Sequence, residues 1–410
     1  MFRQPTSARS NRGPLRKDVT NRWGGYSYSR RIVAACVLFA LALRVGSSRV
    51  WADDLSNDWL ARNVPWLTVD SVYTGEVFTN ARGGVSSKNA THYQGLLDLG
   101  LTVDLARLGC IVPGTFFLLG QNTHGQGITD EFVGDTLVLS NLDASRNVMQ
   151  VSEYWWEFSP HDDVTLRLGK QDFNTEFAFI ESAGDFVQST FGLSPSTAFP
   201  TYPNQAMGAI ALVDLTEQLR FKAGVWNAFA SGSSWGLSGS DSVLLATELE
   251  LCYSWADLPG TVAVGAIYES NGRIDGQPIS DVHEYIFQWE QLVFRKHNST
   301  ITEEGLSLFC GYYPRFPGEQ KVDESIGSSF VAGLVYRGLV PGREDDSLGA
   351  GYATAELFRG GTNRESIFEL YYRIAATSSL IIQPDLQYIA SPSGIVRDAL
   401  ALGVRVQTDW

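Results

Sequence analysis

Acidic side chains are the most numerous groups in this sequence that could take part in chemistry. The 410 residues include 45 Asp and Glu, five His and four Cys. Two carboxylates at a suitable separation could hydrolyse a glycosidic bond, one as acid and one as base or nucleophile. No two acidic residues stand out for that role, and the histidines form neither an HExxH metal motif nor a triad pattern. The histidines are His92, His124, His161, His283 and His297. A hydrolase is therefore a remote alternative.

The cysteines do not indicate redox or metal chemistry. Cys36 lies in an N-terminal segment that we expect to be removed, which leaves Cys110, Cys252 and Cys310. Three is an odd number, none belongs to a CxxC pair, and none has a histidine close by in the sequence, so neither a disulfide framework nor a zinc site is expected. We expect these cysteines to be small packing residues, and we predict no metal and no cofactor.

Charged and aromatic residues are interleaved in one central segment. Its candidates for contact with a polar solute are Glu153, Trp155, Glu157, Arg167, Lys170, Asp172 and Glu176. Around a turn at residues 159–163, the favoured register places Trp155 opposite Arg167, with Glu157 diagonal to Arg167. These groups could form an internal ion pair that braces a sheet, or a charged strip along a channel. Lys170, Asp172 and Glu176 could equally anchor the loop that follows, or bind a sugar beside its aromatic rings.

A second set of candidates lies near the C-terminus. It consists of Glu369, Tyr371 and Arg373 on one segment, Gln383, Asp385 and Gln387 on the next, and Arg405 on the last. A turn near residues 377–378 pairs Glu369 with Gln387, Tyr371 with Asp385, and Arg373 with Gln383, although a two-residue slip would preserve the same faces. The set could be a polar ladder that holds the register, or a wet patch that offers donors and acceptors to sugar hydroxyls.

The elements that must position these residues are β-strands. Leu402, Val404 and Val406 share one face of the last segment, and Arg405 and Gln407 share the other, because side chains alternate across a strand. The same alternation recurs in segments 93–105, 219–225 and 243–255. Alternating strands of about ten residues are typical of a transmembrane barrel, whereas strands of soluble sandwiches are usually nearer five or six. We therefore predict an all-β, antiparallel transmembrane barrel.

One long segment interrupts the strand rhythm. Between Phe173 and Met207, aromatic residues lie among Gly, Ser and Pro without alternation. A loop of this length inside a barrel is either a cap outside it or a segment folded into the pore. We expect it to fold inward and constrict the lumen.

Several short sequence blocks resemble those of one porin family. The blocks are Asn80–Gly84, Leu168–Asn174, Phe191–Pro195, Tyr202–Pro203, Glu369–Arg373, Gln383–Ile389 and Leu402–Arg405. Together they resemble the carbohydrate-selective porins of the OprB type, and the resemblance extends from about Leu67 to Trp410. It implies a single barrel of 16 strands with loops that narrow the lumen, and diffusive uptake of monosaccharides. Some relatives carry an added cell-wall-binding module, for which Asp53–Trp66 is too short.

The first 52 residues have the order of a secretory signal peptide. A basic stretch up to Arg31 precedes the apolar run Ile32–Leu43, and small residues follow as far as Ala52. We predict cleavage after Ala52, which leaves residues 53–410 as one barrel domain in the outer membrane of a Gram-negative-type bacterium. The final strand, which ends in Trp410, resembles the signal read by the barrel-assembly machinery.

The charge balance bears on the permeants. Residues 1–52 hold ten of the 31 basic residues and one of the 45 acidic ones, so the remainder has a net charge of −23. This excludes nucleic acid as a partner held by charge. We predict a porin for passive diffusion of small sugars such as glucose; a general or cation-leaning porin is the alternative, and a non-conducting structural barrel or adhesin is a remote one. The expected partners are sugars and outer-membrane lipid, and a homo-oligomer stays open.

Overall fold

The chain is described here from a computed structural model. The described residues are 62–144, 147–192, 194, 200–228, 232, 234–237, 242–270, 273–274, 277–278, 281–296, 304–317, 326–357 and 363–410. The predicted signal peptide, residues 1–52, lies outside them. Within the described ranges, no helix is both long and apolar enough to cross a membrane.

The architecture is a closed antiparallel barrel of 16 strands. Its first half consists of β1 Leu67–Gly83, β2 Thr91–Asp104, β3 Thr115–Gly125, β4 Val148–His161, β5 Val164–Gln171, β6 Ala206–Asp214, β7 Leu219–Asn227, β8 Val243–Trp255 and β9 Leu258–Glu269. A small hairpin of β10 Arg273–Ile274 and β11 Gln277–Pro278 forms a separate sheet. The second half consists of β12 Val282–Arg295, β13 Gly305–Tyr313 with its continuation β14 Arg315–Pro317, β15 Ile326–Arg337, β16 Ser347–Leu357, β17 Asn363–Thr377, β18 Leu380–Ala390 and β19 Ala399–Asp409. Neighbours along the chain pair with each other, and β19 pairs back onto β1, so the sheet closes.

The complete helical segments within the described ranges are single turns. The helical segments are Leu105–Leu108 and Ser189–Gly192, both α-helical, the π-turn Thr129–Val133, and the 3₁₀ turns Glu181–Ala183 and Pro392–Gly394. Two of these, Glu181–Ala183 and Ser189–Gly192, lie in the long segment between β5 and β6.

The predicted faces of the strands are confirmed in β19. Leu402, Val404 and Val406 are between 39% and 44% exposed, as side chains that face lipid would be, whereas Ala401 and Arg405 are buried in the interior. The same division separates Phe368 and Leu370, which are exposed, from Glu369 and Tyr371, which are buried. The apolar face is therefore outside and the polar face inside, as in transmembrane barrels.

One predicted register is confirmed and one is wrong. In the β17–β18 hairpin, Glu369 pairs with Gln387 and Tyr371 with Asp385, as expected. In the β4–β5 hairpin, Arg167 pairs with Glu157 and not with Trp155. The reason is that β4 continues to His161, where it pairs with Val164, so the turn lies at residues 162–163; together with a one-residue irregularity between Phe158 and His161, this pairs Arg167 two residues further along β4 than predicted. Such a displacement preserves the faces.

The barrel interior is filled by two chain segments that leave the wall. The segment between β5 and β6 buries Phe173, Phe177, Phe186 and Phe191 within the interior apolar cluster. The segment between β3 and β4 buries Ile128, Phe132, Val133, Leu137 and Leu139 in the same cluster. The sequence predicted that the first segment folds inward, and its constriction of the lumen stays a prediction; the second segment was not predicted. Residues 193 and 195–199 of the first segment lie outside the described residues.

Candidate functional site

Arg167 is the centre of an ion-pair cluster on the inner face of β4 and β5. Its guanidinium donates to Glu157 Oε2 at 2.6 Å and to Glu176 Oε1 at 2.8 Å. The guanidinium carbon also lies 4.5 Å from the centre of the Trp155 ring, which is within the range of a cation–π contact. Trp155 in turn stacks on Phe117, with ring centres 4.9 Å apart. Since Glu176 belongs to the inward segment, the cluster joins that segment to the wall.

Glu153 and Asp172 hold the base of the same segment. The indole of Trp155 donates to Glu153 Oε2 at 3.1 Å. Asp172 accepts from the Asn174 backbone N–H at 2.8 Å and from the Thr201 hydroxyl at 2.9 Å, so it ties both ends of the loop together. Burial raises the pKa of the Asp172 carboxyl above its usual value, and the hydrogen bonds that it accepts offset part of this increase. These contacts favour the interpretation of Asp172 as an anchor of the loop over its interpretation as a sugar-binding residue.

Lys170 is not brought together with the other candidates. It pairs with Tyr154 in the β4–β5 register, one residue out of phase with Glu157 and Arg167, so it belongs to the outward face. Its ammonium group donates to the backbone carbonyls of Val151, Gly232 and Ser234 at 2.7, 2.6 and 3.0 Å. Lys170 is fully buried. The structure therefore places it beneath the segment between β7 and β8, away from the lumen.

Glu369 and its neighbours hold the middle of the inward segment. The carboxylate of Glu369 accepts from the backbone N–H groups of Val187 and Gln188, at 2.7 and 3.0 Å. Gln383 donates to the carbonyl of Asp185 at 2.8 Å, and Arg373 lies 3.5 Å from the Asp185 carboxylate. Three of the predicted wall residues thus contact residues 185–188 of the loop.

The remaining candidates of the closing strands are covered. Tyr371 packs edge-on against Phe186, with ring centres 4.9 Å apart, and is buried. Gln387 donates to Asp385 at 3.1 Å and to the carbonyl of Leu139 at 3.0 Å.

Arg405 clamps the second inward segment. It donates to Glu76 at 2.8 Å and to Asn141 at 2.7 Å. The Ser140 hydroxyl also hydrogen-bonds to Glu76. These contacts bind the segment between β3 and β4 to β1 and β19, which are the two strands that close the barrel.

The sequence reasoning missed a series of wall carboxylates with the same role. These are Glu76, Glu248, Glu284, Glu290 and Glu365, all on inward positions of their strands. Glu365 accepts from the backbone N–H groups of Thr136 and Leu137, both at 2.9 Å. Glu248 accepts from the Ala178 N–H at 2.9 Å. Their inward parity was visible in the sequence, but the loop groups they bind were not.

The arrangement suits weak, reversible contact with polar solutes. The inner charged side chains that keep access to water include Arg373 and Asp185, which are 24% and 31% exposed, and Glu157 at 22%. They offer donors and acceptors at once. Among the described residues, no group of three or more His, Cys, Asp or Glu is placed to hold a metal ion.

Comparisons with known proteins agree with this architecture. The family model for the carbohydrate-selective porin, OprB family, matches residues 88–410. Porin B of Pseudomonas aeruginosa is 22% identical, with 90% of this chain and 96% of that protein covered. The putative porin QuiX of Acinetobacter baylyi is 21% identical, with 87% and 95% covered.

Solved structures show the same fold. The high-pH structure of Pseudomonas putida OprB superposes with a TM-score of 0.74 at 20% identity, covering 86% of this chain and 97% of that one. Its low-pH structure gives a TM-score of 0.59 at 18% identity, covering 87% and 98%. With a family model that covers most of its length and an inner face built as described, this chain belongs to the carbohydrate-selective porin, OprB family.

Proposed function

We propose that this chain is an outer-membrane porin through which small carbohydrates, monosaccharides such as glucose among them, diffuse passively. The observation that carries the proposal is a closed barrel whose outer face is apolar and whose interior holds charged and aromatic groups side by side. Sugars need both, because their hydroxyls require hydrogen bonds while their C–H faces pack on rings. The family assignment supports the same permeant class.

The inward segment between β5 and β6 is proposed to narrow the permeation path. Its contacts with Glu248, Glu290 and Glu369 extend from β8 through β12 to β17, so the segment crosses the interior. A path that is narrowed in this way admits solutes by size and by weak contacts, since conduction requires that each bound solute also leaves.

The test is planar-bilayer recording of the purified chain with and without sugar. We expect stable ion conductance and a concentration-dependent block by glucose. Conductance that glucose leaves unchanged would favour the general or cation-leaning porin, for which the acidic interior is the supporting observation. Turnover of a chromogenic glycoside would instead indicate a hydrolase, a function that we do not propose.

Export and assembly belong to the same proposal. We propose that residues 1–52 are a signal peptide cleaved after Ala52, and that the barrel-assembly machinery recognises the last strand. Trp410 closes the barrel onto β1 through backbone hydrogen bonds with Ser71, at 3.1 and 3.2 Å. N-terminal sequencing of the outer-membrane protein tests the cleavage, and accumulation in outer-membrane fractions after deletion of Trp410 tests the recognition.

A further inference from the structure

Phe179 differs from the other phenylalanines of the inward segment that the structure describes. Phe173, Phe177, Phe186 and Phe191 are fully buried, whereas Phe179 is 36% exposed. Burial of a ring removes apolar surface from water and is favourable. One ring left in contact with water, among four that pack, therefore needs a reason.

The exposed ring lies inside the barrel. The residue before it, Ala178, donates its N–H to Glu248 of β8, and Ser182 donates its N–H to Glu290 of β12 at 3.0 Å. Both glutamates are on the inner face of the wall, on strands separated only by β9, so the backbone between these two anchors runs along the inner surface of the barrel. The surface that Phe179 exposes consequently faces the aqueous interior, because the wall separates it from lipid.

The backbone that presents Phe179 is held in an uncommon conformation. Ala178 has a φ of 53°, in the left-handed region that residues with a Cβ seldom adopt. Such residues persist where the surrounding contacts determine them, and they concentrate at binding and catalytic sites. Here the hydrogen bond from Ala178 to Glu248 provides the determining contact.

The ring approaches the glycine that precedes the charged residue Asp185 in the loop. The tip of the Phe179 ring would lie 3.7 Å from a Cβ atom on Gly184, the residue next to Asp185. Asp185 is held by Gln383 through its carbonyl and by Ser347 through its carboxylate. Its carboxylate is 3.5 Å from the Arg373 guanidinium, and both side chains stay partly exposed. An ion pair this loose and this accessible can exchange its hydrogen bonds with a solute.

We propose that Phe179, Asp185 and Arg373 form a subsite that contacts the permeating sugar in its pyranose form. The proposal rests on the proposed function and names its contact residues. The ring packs on the C–H face of the pyranose, the carboxylate accepts from hydroxyls, and the guanidinium donates to hydroxyl oxygens. The preferred permeants are hexopyranoses with one continuous C–H face, of which glucose is an example.

The test measures the glucose concentration that gives half-maximal block of ion current in planar bilayers. Phe179→Leu keeps much of the side-chain volume but removes the ring, and it should raise this concentration roughly two- to tenfold. Phe179→Trp should keep it near the wild-type value. Asp185→Asn and Arg373→Gln should each raise it several-fold.

Matched controls separate a local effect from a general one. Phe368→Ala removes an exposed ring from the outer face, and Arg364→Gln removes an exposed ion pair with Glu356, 3.0 Å in length, outside the lumen. Both should leave the block unchanged. Heat-dependent migration in detergent gels verifies that every variant is folded.

Two results would overturn the subsite. One is a Phe179→Leu variant that folds and is blocked by glucose as the wild type is. The other is a Phe179→Leu variant in which block by an acyclic polyol such as sorbitol is weakened as much as block by glucose. Sorbitol has no pyranose face, so the ring would then act only by narrowing the path. If glucose fails to block the wild type, it is the proposed function that fails, and the two failures are thereby distinguishable.

Discussion

Removal of the Glu369 carboxylate should release the inward segment without opening the barrel. Glu369 accepts two backbone N–H groups, from Val187 and Gln188, at 2.7 and 3.0 Å. A hydrogen bond that is not charge-assisted contributes about 0.5–1.5 kcal/mol, so loss of both in Glu369→Ala should cost the docked loop roughly 1–3 kcal/mol. In Glu369→Gln one oxygen can still accept, while the amide nitrogen faces the other N–H, and the cost should be about half as large. The strand hydrogen bonds of β17 do not involve this side chain.

Single-channel recording resolves the effect. The loop keeps other contacts near this point, including the 2.7 Å hydrogen bond from the Gln188 side chain to the Leu137 carbonyl. We therefore expect partial undocking of the loop, seen as higher mean conductance with rapid current fluctuations. Both effects should be largest in Glu369→Ala, smaller in Glu369→Gln and smallest in the wild type. Glu356→Ala, which removes an exposed outer carboxylate, serves as the control. Wild-type conductance and noise in a folded Glu369→Ala variant would refute the loop's place in the permeation path.

Three further predictions concern the wall, the charge and a buried acid. Leu402→Arg places a cation toward lipid and should lower the free energy of unfolding by roughly 2–4 kcal/mol near the membrane midplane, measured by urea titration in liposomes; an effect no larger than that of Leu402→Ala would contradict the assigned face. Reversal potentials should show mild cation preference in dilute KCl that fades as salt screens the interior charges, and anion preference in dilute KCl would be the opposite result. Burial and the nearby Glu365 carboxylate raise the pKa of Asp135 well above its usual value, so its contribution to stability is present at low pH and is lost as pH rises through that pKa. Asp135→Asn should thus raise the melting temperature at pH 8 and leave it unchanged at acidic pH; a gain of equal size at both would show that charge is not the cause.

The wall of the barrel could be predicted from the sequence because its signal is local. Side chains alternate with a period of two, so apolar Leu402 and polar Arg405 identify their faces without knowledge of any partner. A short turn likewise fixes a hairpin register, as it did for Glu369 with Gln387. The register of Arg167 failed because the turn lies at residues 162–163, later than the side-chain pattern indicated, and because that pattern does not encode the strand irregularity between Phe158 and His161.

The interior could not be predicted in the same way, because its contacts are remote in sequence. Glu369 and Val187 are separated by 182 residues, and Thr136 and Glu365 by 229. No periodicity connects such positions. The length of the segment after Phe173 and its aromatic residues without alternation predicted that it folds inward, but the segment around Leu137 carries fewer rings and gave no comparable signal. Which candidates are anchors and which are accessible therefore followed only from the structure.

These contacts also give the acidic composition a structural cause. A segment that leaves the wall and crosses the lumen loses the strand partners of its backbone N–H groups, and these must be satisfied once they are buried. The carbonyls of the wall are already engaged in strand pairing, so the acceptors come from the carbonyls of the inward segments themselves, as between Asn141 N–H and the Val187 carbonyl at 2.8 Å, and from inward side chains. A carboxylate suits this role because it accepts through two oxygens and, when ionised, donates nothing that would compete. Glu365 and Glu369 each bind two or more loop N–H groups in this way. Many of the inward carboxylates thus stabilise the inward segments, whereas Asp185 and Arg373, which we assign to the proposed subsite, remain accessible to water.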